Sequence, residues 1–316
     1  MGWNPRGLIF DVRNWDGSQA VGSFAQSPQA LVLEDSVRVY FSTRFLDDSG
    51  KWHSDVAFAE FSLDFSEILT EPRVGVIGRG GLGCFDEHGI FPFSVVPVGR
   101  EVWAYTTGWS RRRSVPVETG IGLAVSRDGG LTFERRGTGP VLSSSLFEPF
   151  LVCDGFVRLV DGRWLMWYVF GTDWTSEAST GDVERTYKIG VATSADGVEW
   201  TPSGGRCALP DRLGRTESQA LPSVLHADGE FQMVFCYRET FDFRTNPSRM
   251  YRLGRAVSPD GVAWTRDDTL VEFLRLEFDS EMRCYPHLVA VGDRRFLLYN
   301  GNEFGRWGFG VAEWTE

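Results

Sequence analysis

Apolar residues gather along this chain in short runs that end in tyrosine, and the runs recur. Val37-Arg38-Val39-Tyr40, Val102-Trp103-Ala104-Tyr105, Trp164-Leu165-Met166-Trp167-Tyr168, Phe231-Gln232-Met233-Val234-Phe235-Cys236-Tyr237 and Phe296-Leu297-Leu298-Tyr299 place their tyrosines 65, 63, 69 and 62 residues apart. A short strand, often with proline, precedes each run. Its copies are Ser27-Pro28-Gln29-Ala30-Leu31, Phe91-Pro92-Phe93-Ser94-Val95, Gly155-Phe156-Val157-Arg158-Leu159, Leu221-Pro222-Ser223-Val224 and Tyr285-Pro286-His287-Leu288-Val289. A third strand then leads into an Asp-Gly turn, at Asp128-Gly129, Asp196-Gly197 and Asp260-Gly261, each followed by an aromatic residue, Phe133, Trp200 or Trp264. In such a turn the aspartate accepts backbone N–H bonds and the glycine takes the positive φ. These aspartates read as structural residues of an outer rim. The first copy of the unit carries a weaker version, Phe61-Ser62-Leu63-Asp64-Phe65.

Five copies of a unit of about this length, each reading as four short strands, predict an all-β fold: a five-bladed β-propeller of four-stranded antiparallel blades. Residues 1–316 are expected to form one such domain. The last copy ends after its third strand, Gly308-Phe309-Gly310-Val311-Ala312, so Gly7-Leu8-Ile9-Phe10 is expected to supply the missing strand and close the ring. Closure removes open sheet edges.

Composition fits a large core: 42% of residues are hydrophobic, with 12 Trp and 24 Phe. The net charge of −11 argues against a nucleic-acid backbone or an anionic membrane as partner. The start, Met1-Gly2-Trp3-Asn4-Pro5-Arg6, has no basic stretch followed by an apolar segment, so a cytoplasmic protein is the expectation. Cys84, Cys153, Cys207, Cys236 and Cys284 are scattered, which suits reduced thiols. His88 and His287 are the only plausible imidazole ligands and no metal spacing appears, so neither metal nor cofactor is expected.

Candidate chemistry lies just upstream of the tyrosine runs. Glu87, Glu148, Glu217 and Glu281 precede their tyrosines by 18, 20, 20 and 18 residues. Blade one lacks such a residue and has Ser23, Ala25 and Gln26 there. Alternation along a strand places Glu281, Arg283, Tyr285 and His287 on one face, Glu217 with Gln219, and Asp86 with His88. Carboxylates converging on a channel would split their pKa values, as acid–base chemistry requires. The same glutamates could instead be acceptors that tie neighbouring loops. Trp109, Trp174, Tyr285 and Trp307 flank the inner strands and offer faces for sugar rings.

With these motifs the chain resembles, over its whole length, the five-bladed propeller glycosidases: the arabinanase/β-xylosidase, invertase/levansucrase and mannoside phosphorylase types. Phe147-Glu148-Pro149 is similar to the motif that carries their general acid, and Asp86 to the aspartate that tunes it. Their blade-one Asp-Pro pair, which carries the base or nucleophile, is replaced by Ala25-Gln26-Ser27-Pro28. Two acids are the usual requirement. The resemblance therefore implies one of three outcomes. Glu217 or Glu281 takes over as the second carboxylate; or phosphate replaces water, with Arg44, Arg238 and Arg283 available to bind it; or the protein is a non-hydrolytic biosynthetic enzyme on an activated sugar or small metabolite, or a sugar-binding propeller without chemistry. The expected partner is a small-molecule or oligosaccharide substrate. Ser126-Arg127-Asp128-Gly129-Gly130-Leu131-Thr132-Phe133 is also similar to the Asp-box turn of six-bladed sialidases, which supports a propeller more than that activity.

Overall fold

A computed structural model describes residues 2–15, 22–176 and 181–315. Nineteen strands are assigned among them. β1 (Gly2–Asp11) comes first. Blade one is β2 (Ser23–Val32), β3 (Val37–Leu46), β4 (Trp52–Phe61) and β5 (Arg73–Val74). Blade two is β6 (Ile90–Val98), β7 (Glu101–Arg111), β8 (Val117–Ser126) and β9 (Glu134–Arg135). Blade three is β10 (Val152–Val160), β11 (Arg163–Ser176) and β12 (Val183–Ser194). Blade four is β13 (Glu217–Ala227), β14 (Glu230–Glu239), β15 (Arg252–Ser258) and β16 (Thr265–Arg266). Blade five is β17 (Cys284–Val291), β18 (Arg294–Asn300) and β19 (Gly308–Thr315). The inner strands β2, β6, β10, β13 and β17 abut in that cyclic order, β17 returning to β2.

The ring closes as the sequence pattern requires: β1 pairs antiparallel with β19 and completes the order β1-β19-β18-β17. Blade three is the irregular one. Its outer strand is reduced to one antiparallel bridge, Thr193 with Thr201. Among the described residues no helix is long and apolar enough to cross a membrane.

Two of the five tyrosines tie their blade to the next. Tyr40 of blade one donates its hydroxyl to the Gly130 carbonyl in the Asp-Gly turn of blade two, at 2.6 Å. Tyr105 of blade two does the same to Gly197 of blade three at 2.8 Å, and in blade three the Trp167 indole N–H reaches Gly261 of blade four at 2.8 Å. The turn aspartates hold those carbonyls in place. Asp196 Oδ1 accepts the Val198 and Glu199 N–H groups at 2.8 and 2.9 Å, and Asp260 Oδ1 accepts those of Val262 and Ala263 at 2.8 Å. Gly197 sits at φ 75°, and a Cβ there would come within 2.9 Å of the Tyr105 hydroxyl. Aromatic pairs fill the space between blades: Trp103 stacks on Trp164 at 5.3 Å, and Phe65 meets Phe296 edge-on at 4.9 Å.

Replacing Tyr105 by Phe removes the inter-blade donor to the Gly197 carbonyl, which keeps the Trp200 indole N–H at 3.1 Å. The expected cost is about 0.5–1.5 kcal/mol of folding stability, read as a lower urea midpoint with an unchanged slope.

Candidate active site

Each inner strand breaks register with its neighbour near the axis, β2 having a second irregularity between Ser23 and Gln26. The irregularities fall between Gln26 and Gln29, Ile90 and Phe93, Cys153 and Phe156, Ala220 and Ser223, and Cys284 and His287. These are β-bulges, and a bulge re-aims a side chain out of the alternating pattern. Four of them place a non-glycine residue at positive φ: Ser27 at 55°, Asp154 at 55°, Leu221 at 45° and Tyr285 at 55°. The bulges surround a cavity of about 420 Å³, which Phe91, Asp154, Leu221 and Tyr285 line from four blades and Gln26 from the first.

Asp154 is the one carboxylate in that wall among the described residues. It is 7% exposed. Its N–H donates to Thr107 Oγ1 at 2.7 Å, and its Oδ2 accepts the Leu221 N–H at 3.3 Å. Burial pushes its carboxyl up to about 6, against the opposing pull of the Leu221 N–H, the Cys153 thiol and the Arg185 charge. Four arginines share the wall: Arg44, Arg185, Arg238 and Arg244. Arg244 pairs with Glu184. Arg238 is 1% exposed and lies 3.5 Å from the Phe243 ring centre, with Tyr187 and Tyr251 at 5.1 and 5.5 Å. Arg44 lies over Phe24 and Phe91 at 5.3 and 5.9 Å, and burial lowers its pKa. Trp52, Trp109, Tyr251 and Tyr285 supply aromatic faces, and Trp109 is fixed by donating to Ser54 Oγ at 3.1 Å.

Of the sequence-predicted residues, Gln26, Arg44, Trp109, Arg238 and Tyr285 line the cavity. The acidic series does not. Glu148 is fully buried, and its Oε1 accepts from Tyr168 at 2.7 Å, Ser203 Oγ at 2.8 Å and the Gly205 N–H at 2.9 Å. Asp86 is held by Arg135 Nε at 2.7 Å. Glu217 accepts Arg266 at 2.6 Å, Gln219 at 2.9 Å, and the Arg212 and Leu213 N–H groups at 2.8 and 2.9 Å. These bonds outweigh its burial and hold its pKa below the usual range. In blade five the buried member of the series is Asp279, bound by Arg283 Nε at 2.6 Å and Tyr299 at 3.1 Å, while Glu281 is exposed. In blades two to five the series thus ties the segment before the inner strand to its own blade. Arg135 and Arg266 reach it from the fourth strands β9 and β16, and Ser203 stands in that place in blade three.

The remaining predicted residues lie outside the cavity wall. Glu87 accepts the Gly83 N–H at 3.0 Å. His88 stacks between His53 and Trp109 at 5.7 and 5.6 Å, so it backs a wall residue. Gln219 is spent on Glu217. Arg283 also donates to the Leu274 and Phe273 carbonyls at 2.7 and 3.2 Å. His287 Nε2 accepts the Ala30 N–H at 3.0 Å, and burial pushes its pKa down to about 3.

Asp154, Arg185, Thr107 and Tyr187 are among the wall residues that sequence reading missed. The signal for Asp154 was present. Aligning the X-Pro pairs of the other blades with Asp154-Gly155 puts the aspartate at the bulge position.

The chain is a five-bladed β-propeller with an aromatic pit at its axis. Solved structures of that fold superimpose over nearly the whole chain. BT0996, solved as an RGII complex, matches with a TM-score of 0.72 and 16% identity, covering 99% of this protein and 92% of that one. A member of the GH130 family of mannoside phosphorylases, which contains glycoside hydrolases targeting β-1,2 mannosidic linkages in Candida mannan, matches at 0.69 and 15%, covering 99% and 94%. The Bombyx mori GH32 β-fructofuranosidase BmSUC1 matches at 0.61 and 13%, covering 92% of this protein and 59% of that one. This protein belongs to the same family as the uncharacterized proteins Rv1502 and MT1551 of Mycobacterium tuberculosis, each 31% identical over 99% of both sequences. No protein-family profile matches the sequence.

The raised Asp154 carboxyl gives a stability test with a definite sign. Its folded pKa exceeds the unfolded value of about 3.9, so the folded state holds the extra proton between about pH 4 and 6. Its contribution to stability is full below that window and is lost as pH rises through it. The total is on the order of 2–3 kcal/mol. Unfolding free energies of wild type and Asp154→Asn should therefore change relative to each other by this amount between about pH 4 and 7, the wild type losing ground as pH rises.

Proposed function

We propose that this chain is a carbohydrate-active enzyme acting on a glycosidic bond, with Asp154 as the proton donor and residues 1–316 working as one propeller unit. The observation that carries the reading is the position of Asp154: the single carboxylate in the cavity wall among the described residues, mounted on a bulge at the axis. Breaking a glycosidic C–O bond requires a proton on the leaving oxygen, and a carboxyl raised to about 6 keeps one at mildly acidic pH. The aromatic faces of Trp109 and Tyr285 suit the apolar faces of a sugar ring. The glycosidase and phosphorylase activities named for neighbours of this fold support the same chemistry. The role that the Glu-Pro pair suggested for Glu148 passes to Asp154, six residues further on.

In the step itself the leaving oxygen takes the Asp154 proton as the C–O bond breaks, and an oxygen nucleophile bonds the anomeric carbon. Gln26 stands where the resembling families place a base, and an amide cannot take a proton from water. The assay must therefore offer inorganic phosphate as well as water.

Asp154→Asn keeps an oxygen for the Leu221 N–H, so the fold should survive, which thermal melting checks. On a panel of aryl glycosides, with and without phosphate, turnover should fall by about 10²–10⁴-fold. The wild-type rate should decline above about pH 6, and the variant should lack that limb. Undiminished turnover in a folded Asp154→Asn protein would remove Asp154 from the mechanism.

A further inference from the structure

The chain carries a formal charge of −11, yet the wall of its axial cavity holds one carboxylate and four arginines. Three of these, Arg44, Arg185 and Arg238, take part in none of the ion pairs among the described residues. Buried arginines outside the cavity are treated differently. Arg266 pairs with Glu217 and Asp268, and Arg283 pairs with Asp279. A buried, unpaired guanidinium is costly. Stacking on Phe243, Tyr187 and Tyr251 offsets part of that cost for Arg238, but an aromatic face does not accept all five N–H groups.

Two of the arginines that line the cavity keep an unused donor. Arg238 donates Nη1 to the Glu239 and Thr240 carbonyls at 2.7 and 3.1 Å, while its buried Nε has no partner. Arg44 Nε is likewise buried and unpartnered. The wall also holds Gln26 Oε1 and Thr119 Oγ1, both buried without a partner. Thirteen buried side-chain atoms lack a partner among the described residues, and four of them belong to this one cavity wall, two on cations, a grouping that points to a ligand. The guanidinium fork matches the oxygens of a carboxylate or phosphate.

We propose that the axial cavity binds a ligand bearing an oxyanion, a carboxylate or phosphate group, on Arg44 and Arg238 with Arg185 adding charge. The ligand class is an acidic or phosphorylated sugar, or a neutral sugar accompanied by inorganic phosphate. This rests on the reading that the cavity is the reaction site, and it specifies what enters there.

Calorimetry on the full chain tests it with four probes: a neutral hexose, the matching hexuronate, the hexose 6-phosphate and inorganic phosphate. At least one oxyanion probe should bind ten-fold or more tightly than the neutral hexose. Arg44→Gln should weaken that binding ten-fold or more, and Arg44→Lys should restore part of it. Inorganic phosphate binding alone, lost in Arg44→Gln, identifies free phosphate as the source; binding confined to the hexuronate or hexose phosphate places the anion on the sugar. Both outcomes support an oxyanion site. Equal binding of neutral and acidic sugars, binding of no oxyanion probe, or binding indifferent to Arg44→Gln in a protein that melts normally overturns it. Because the readout is binding, it separates from the catalytic reading. If Asp154→Asn keeps turnover while oxyanion binding still depends on Arg44, the proton-donor role falls and this site stands.

Discussion

Each blade must carry its inner strand through a bulge at the axis, and the amide freed from the ladder there needs an acceptor on the neighbouring blade. A buried N–H left unpaired costs as much as a lost hydrogen bond. Three of the five blades show how the structure meets this constraint. Ser27 N–H of blade one goes to Asn300 Oδ1 of blade five at 2.8 Å, Asp154 N–H of blade three goes to Thr107 of blade two at 2.7 Å, and Leu221 N–H of blade four goes to Asp154 itself at 3.3 Å. Positive φ at a non-glycine residue is unfavourable by roughly 1–2 kcal/mol, so these contacts hold a strained backbone as well as joining blades. The axial cavity is a consequence. Side chains at the bulges project inward because the bulges suspend the alternation that would have sent them into the blade.

That constraint explains why two sets of carboxylates so close in sequence behave so differently. Glu148 and Asp154 are six residues apart, yet one is buried among Tyr168, Ser203 and Gly205 and the other lines the cavity. The first belongs to the segment that approaches the inner strand and must be pinned to its own blade; the second sits on the bulge. Asp154 serves two ends at once, as acceptor for the next blade's bulge amide and as the acid in the wall.

The ring was legible in the sequence because its fasteners repeat. Tyr40 and Tyr105 reach the turn of the following blade, so their spacing is the blade length, and the Asp-Gly turns and the closing strand carry signals of equal clarity. The site was legible only in part, for two physical reasons. Strict alternation from Glu281 to His287 places four side chains on one face, but the bulge between Cys284 and His287 breaks it, and the short 3₁₀ turn Glu277–Asp279 makes Asp279 the buried acid. Tyr285 alone of that set reaches the cavity. In addition, carboxylates repeating ahead of each inner strand suggested a channel, whereas a repeat shared by nearly every blade is what a structural fastener requires. The departures from the repeat were the better guide to the cavity wall: Asp154 stands where other blades have serine, phenylalanine, leucine or tyrosine, and Gly155 where they have proline.

The same contrast bears on how the molecule distributes unsatisfied groups. A sequence specifies one fold when its local choices agree, and departures concentrate where function demands them. The ties of Glu217 with Arg266 and of Asp279 with Arg283 are ion pairs reinforced by further hydrogen bonds. In the cavity wall, Arg44 Nε, Arg238 Nε, Gln26 Oε1 and Thr119 Oγ1 are left over. Folding alone would favour a carboxylate beside each of these cations, and the chain has 43 acidic residues from which to supply one. Such a partner would neutralise the wall, and a second anion near Asp154 would push its carboxyl higher still. The arrangement leaves positive charge uncompensated in the cavity wall, whereas the acids Asp86, Glu217 and Asp279, which tie their blades outside it, are each paired with an arginine.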